Sequence, residues 1–94
     1  MREEQFKSYL AAIVGKNGVA TRLTKARNAE TILETNLDTI VADDDLMFNA
    51  LVRLQDHEDP RKNPMQNALR HYYTFCNGRE FPSKKEYAQR REEG

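Results

Sequence analysis

The 94-residue chain is short of most things that would widen the choice of function. It has one cysteine, Cys76, so it can form no internal disulfide and offers no second thiol for a cysteine-based metal site. A reducing, intracellular setting is the simple expectation. No stretch approaches the roughly 20 apolar residues that span a bilayer, and the opening "MREEQFKSYL" lacks a signal-peptide core, so a cytoplasmic protein is expected. Four glycines, three prolines and almost no β-branched runs argue for helices over sheet. Net charge is zero, which gives no global pull toward nucleic acid. There is no internal repeat and no low-complexity linker. Ninety-four residues suffice for one modest core and not for two, so residues 1–94 read as a single domain.

What is present points the same way. An apolar fraction of 38% beside a charged fraction of 32% suits a small helical domain with a large solvated surface. Phe6, Leu10, Ile13 and Val14, with Tyr9 at the edge, share one side of a helix over about 3–14, which Gly15 and "KNG" should end. A second helix is expected from Val19 to Glu34, with Val19, Leu23, Ala26, Ala29 and Leu33 as its apolar stripe and Glu30 as a flaw inside it. Residues 37–41 read as a short helical turn. Asp43 should cap the next helix, which runs to about Gln55 and is apolar over so much of its circumference that it should be central and nearly surrounded. Asn63 should cap, and Pro64 open, a helix to Asn77 that Gly78 stops. Ser83 should cap a last helix to about residue 93, with Glu86 in the capping-box position. The fold class is all-α, an orthogonal bundle of four to five helices.

The charge is segregated. Lys16, Arg22, Lys25 and Arg27 lie in an acid-free segment from Lys16 to Asn28. Nine acids against Arg53 alone follow from Glu30 to Asp59, and then Arg61, Lys62, Arg70 and Arg79. The two basic segments make one basic face if they pack together. The triplet Asp43–Asp44–Asp45 lacks the spacing of a calcium loop and is explained by a helix start. His57 and His71 have no nucleophile placed near them by spacing, and Cys76 sits on an apolar arc. No catalytic residue, metal site or cofactor is expected.

The stretch "NPMQNALRHYYTFCNGREFPS" holds half of the eight aromatics among basic residues. At about 100° per residue, Met65, Ala68, Leu69, Tyr72, Phe75 and Cys76 fall on one arc and read as core. Gln66, Arg70, Tyr73, Thr74 and Asn77 fall on the opposite arc or its border, where such side chains reach phosphates and base edges. Phe81 should fold back as a hydrophobic clasp. On the second helix, Thr21, Thr24, Lys25, Asn28 and Thr31 lie opposite the apolar stripe.

The order of "FKSYL", "TRLTKARNAETIL", a buried middle helix and "NPMQNALRHYYTFCNGR" resembles the N-terminal SAM-like, or core-binding, domain of tyrosine recombinases and phage integrases, over about residues 5–80. The resemblance implies a helical clamp that touches the backbone and major groove of duplex DNA with two of its helices. On this chain it points to Thr21, Thr24, Lys25 and Asn28, and to Gln66, Arg70, Tyr73, Thr74 and Asn77. The recombinase catalytic domain, with its arginines, histidines and tyrosine nucleophile, has no counterpart here, so the chain is either an excised domain or a free-standing relative, and alone it cannot cut DNA. A non-catalytic, monomeric DNA-binding domain from a phage or mobile element is the first expectation. A helical protein-interaction module using the acidic middle is the second. A helix-turn-helix regulator built on "AAIVGKNGVATRLTKA" is the third.

Overall fold

The computed structural model describes residues 1–93 and, over them, contains helices and no strand. Six helices follow one another: α1 (Glu3–Val14), α2 (Lys16–Leu33), α3 (Leu37–Val41), α4 (Asp44–Gln55), α5 (Pro64–Asn77) and α6 (Lys84–Glu93). The all-α expectation is met.

In α1, Phe6 and Leu10 sit one turn apart and are fully buried. Ile13, expected beside them, is 47% exposed. Gly15, at φ 77°, reverses the chain in one residue, and α2 starts at Lys16 rather than Val19. The chain turns away before anything covers Ile13. The stripe of α2 is buried as its periodicity demands. Glu30, the flaw in it, is half-buried and accepts from the backbone N–H of Leu37 (3.0 Å) and from the Met1 amino group (3.1 Å). It pins the start of α3 to the end of α2.

Asn36 caps α3 and Asp43 caps α4, the latter accepting from the N–H groups of Asp45 (2.8 Å) and Leu46 (3.2 Å). Helix α4 is not surrounded: it buries Met47, Ala50, Leu51 and Leu54 but leaves Leu46 42% and Val52 43% exposed. The central helix is α5, which packs against α1, α2, α3 and α4. Composition misleads here because exposed apolar side chains are common on soluble proteins, whereas the position of a helix depends on what covers it.

The start of α5 also departs from expectation. Pro64 opens it, but Asn63 makes no cap with its side chain. Glu58 reaches over instead, its carboxylate accepting from the N–H groups of Met65 and Gln66. A carboxylate at this end satisfies two orphan donors and meets the positive end of the helix dipole. Gly78, at φ 72°, ends α5 in the left-handed conformation expected of it. The strap over residues 79–83 then carries Phe81 back into the core, and Ser83 Oγ accepts from Glu86 N–H (3.1 Å) to start α6.

Candidate functional site

Helix α5 is where sequence and structure differ most. Tyr72 and Tyr73 are both fully buried, along with Met65, Ala68, Leu69 and Gln66, which is only 3% exposed. Phe75 and Cys76 are half-buried. Relative to the arc read from hydropathy, the buried arc is turned by about 40° at 100° per residue. The cause is Phe81, which covers a side of α5 that an isolated wheel leaves open, with Lys84 at the start of α6 reaching Gln66. The Phe81 ring meets Tyr73 edge-on at 5.1 Å between centroids and lies 5.1 Å from Tyr87 of α6.

Most of the polar side chains assigned to α5 as DNA contacts are therefore engaged internally. Tyr73 is corrected from a surface residue to a core residue whose hydroxyl donates to Asp44 Oδ1 (2.7 Å). Burial, then this bond, pushes its pKa up to about 12. Gln66 is corrected likewise: its side-chain oxygen accepts from Lys84 Nζ (2.8 Å) beneath the capping Glu58. The Asn77 amide donates to Val41 O (3.1 Å) and Tyr73 O (3.0 Å), closing the end of α5 onto α3. Thr74 Oγ1 donates to Arg70 O (3.1 Å), the usual back-bond of a helical threonine. Arg70 is half-buried and donates from Nη1 to Phe81 O (3.0 Å) and Pro82 O (3.1 Å). Of the five, Asn77 is exposed although its amide is engaged, and Arg70 and Thr74 keep a face toward solvent in a cleft shared with Asn67, His71, Glu80 and Phe81.

The outward face of α2 is different. Thr21, Thr24 and Asn28 are exposed and Lys25 is half-exposed. Among the described residues, none of these four side chains takes part in a hydrogen bond or ion pair within the chain. Arg27, next to them, is held by Glu3 of α1 in a two-pronged pair at 2.6 and 3.0 Å. Helix α2 packs on α5, but Arg70 is turned to the strap and Arg79 to Asp44 rather than to the cations of α2. Arg22 stands near enough to His71 to help lower the imidazole pKa, after burial, which is the larger cause.

The acidic middle has a role that hydropathy and charge count do not reveal. Seven of its nine acids act as internal acceptors: Glu30, Asp38, Asp43, Asp44, Asp45, Glu58 and Asp59. Three of them take tyrosine hydroxyls from distant helices: Asp38 from Tyr72, Asp44 from Tyr73 and Asp45 from Tyr87. Asp44 also faces Arg79 (3.4 Å), and Asp45 faces Arg91 (3.6 Å). Burial, then Asp38, raises the Tyr72 pKa, and hydrogen bonding to Asp45 pushes Tyr87 up to about 12. The Asp43–Asp44–Asp45 triplet thus caps α4 through Asp43 and holds Tyr73 and Tyr87 through Asp44 and Asp45; no group of three metal-binding side chains occurs among the described residues.

No helix is long and apolar enough to cross a membrane among the described residues. No protein-family model, curated protein or solved structure matches the chain.

Proposed function

We propose that this protein is a non-catalytic DNA-binding module of the SAM-like, core-binding type, which docks on the duplex backbone through the outward face of α2. The observation that carries the reading is the contrast between the helices. Thr21, Thr24, Lys25 and Asn28 are presented together with no internal partner, in a segment without an acid from Lys16 to Ala29. Arg22 lies beside them on α2, near His71 of the α5 helix that packs alongside. Hydroxyls and amides that face water in a basic setting suit phosphate contact, which positions a protein on DNA without reading sequence. Gln66, Tyr73 and Asn77 leave the interface. The competing use of the acidic segment as a docking surface loses support, since most of its carboxylates already have partners inside the chain. A helix-turn-helix is disfavoured because Gly15 alone joins α1 to α2, where that motif uses a turn of about three to four residues.

A short duplex titrated at low salt tests the reading. With about three or four cations near the backbone, the logarithm of affinity should fall with log salt at a slope of about −3, from an affinity on the order of micromolar. Lys25→Glu should weaken binding about tenfold and leave the melting temperature unchanged. Wild-type binding by Lys25→Glu, or amide shifts that avoid α2, would overturn the proposal.

A further inference from the structure

The cleft on the outer side of α5 holds a charge that no carboxylate among the described residues pairs with. Arg70 is half-buried, and its Nη1 is occupied by the carbonyls of Phe81 and Pro82. Its Nη2 and Nε groups make no bond among the described residues, and no carboxylate there lies within ion-pair distance of it. Burial without a compensating acid pulls the guanidinium below its ordinary pKa. A second cation lies close: the Lys84 ammonium, held by the neutral side-chain oxygens of Gln55 (2.6 Å) and Gln66 (2.8 Å), is lowered by burial and then by Arg70. The cleft has about 260 Å³ of space and is walled by Arg70, His71, Asn67, Thr74, Phe81 and Glu80.

A half-buried cation without a counter-charge costs stability that a bound anion restores. The Phe81 and Pro82 carbonyls hold the guanidinium, so its remaining edge is preorganised rather than mobile. We propose that this cleft is a phosphate-binding pocket, with the open edge of Arg70 as its principal ligand and the Asn67 amide and His71 imidazole, on the same face of α5, as further donors. Three donor side chains along one helix face can meet several oxygens of a tetrahedral phosphate, whereas the guanidinium fork alone would satisfy a planar carboxylate. Glu80, exposed at the rim, opposes the anion and sets an upper bound on affinity. The pocket does not depend on the α2 face: a phosphate of the DNA backbone and a free phosphate present the same chemistry to it.

The test is a titration of the full 94-residue chain, nitrogen-15-labelled, with sodium phosphate, sodium acetate and sodium chloride at matched ionic strength. Phosphate should give saturating amide shifts confined to residues 67–81, acetate weaker ones, and chloride none that saturate. Arg70→Gln should abolish saturation. Because Arg70 also anchors the strap, two surface variants carry the same question. Asn67→Ala should weaken phosphate about threefold, and Glu80→Gln should strengthen it about threefold, as for a single exposed charge or neutral hydrogen bond. A short duplex that displaces phosphate from the cleft identifies backbone phosphate as the source. Phosphate binding that persists beside bound duplex, or in the absence of duplex binding, identifies free phosphate. Phosphate shifts no larger than those from chloride, acetate saturating at the same concentration, or unchanged affinity in both surface variants would overturn the proposal.

Discussion

Tyr73 decides between two views of α5, and its substitution separates them. Hydropathy places it on the solvent arc, whereas in the fold it is fully buried, with its hydroxyl on Asp44 and its ring against Phe81. Tyr73→Phe removes only the hydroxyl. A hydrogen bond to a charged group contributes about 1.5–3 kcal/mol. Asp44 is 39% exposed, so water can replace the phenol there, and the lower end, about 1.5 kcal/mol, is the expected cost. For a domain of this size that corresponds to a fall of roughly 6–12 °C in melting temperature. Tyr73→Ala also removes the ring and leaves a cavity, at about 3–5 kcal/mol, a large part of the 5–15 kcal/mol that holds a typical domain together. Urea denaturation followed by helical circular dichroism measures both. A double-mutant cycle of Tyr73→Phe with Asp44→Asn should return a coupling of about 1 kcal/mol. Duplex binding by Tyr73→Phe, measured well below its melting temperature, should match wild type. If Tyr73→Ala lies within about 0.5 kcal/mol of wild type, as surface substitutions do, the burial argument for α5 is refuted.

Two further outcomes follow from the same structure. Glu58→Ala should destabilise by about 1–2 kcal/mol by uncapping α5, while Asn63→Ala stays within about 0.5 kcal/mol of wild type. Urea midpoints would expose the reverse order if Asn63 were the cap. Burial, then Arg22, lowers the His71 pKa below its ordinary 6.5. The unfolded chain therefore takes up this proton first. The stability linked to His71 is fully present above pH 6.5 and is lost as pH falls from there toward the folded value. His71→Gln should flatten that part of the curve in urea midpoints measured across it, and an unchanged slope would contradict the shift.

Much of the local structure was legible. The stripe of α2, the Asp43 and Ser83 caps, Pro64 at the start of α5 and the Gly78 stop each depend on a few neighbouring residues, so periodicity and cap chemistry suffice. Phe81 as a clasp was legible too, because an aromatic just past a glycine stop has few other places to go. The assignments that failed all needed a distant partner. Asn63 looked like a cap until Glu58, five residues upstream, occupied the same donors. The apolar circumference of α4 suggested a surrounded helix, yet α5 holds that place. For the candidate interface, the α2 face was readable as a set of exposed polar side chains, whereas the burial of Gln66 and Tyr73 and the internal bonds of the Asn77 amide on α5 were not.

The sequence by itself determined which segments are helical, where most of them begin and end, and that charge is divided into basic and acidic blocks. Only the tertiary structure decided what those charges face. The acidic middle became a row of acceptors for Tyr72, Tyr73 and Tyr87 because α3 and α4 lie against α5 and α6. The physical reason is range. Helix propensity and capping act within about one turn of chain, while burial and hydrogen-bond partnership depend on neighbours 29 to 42 residues away.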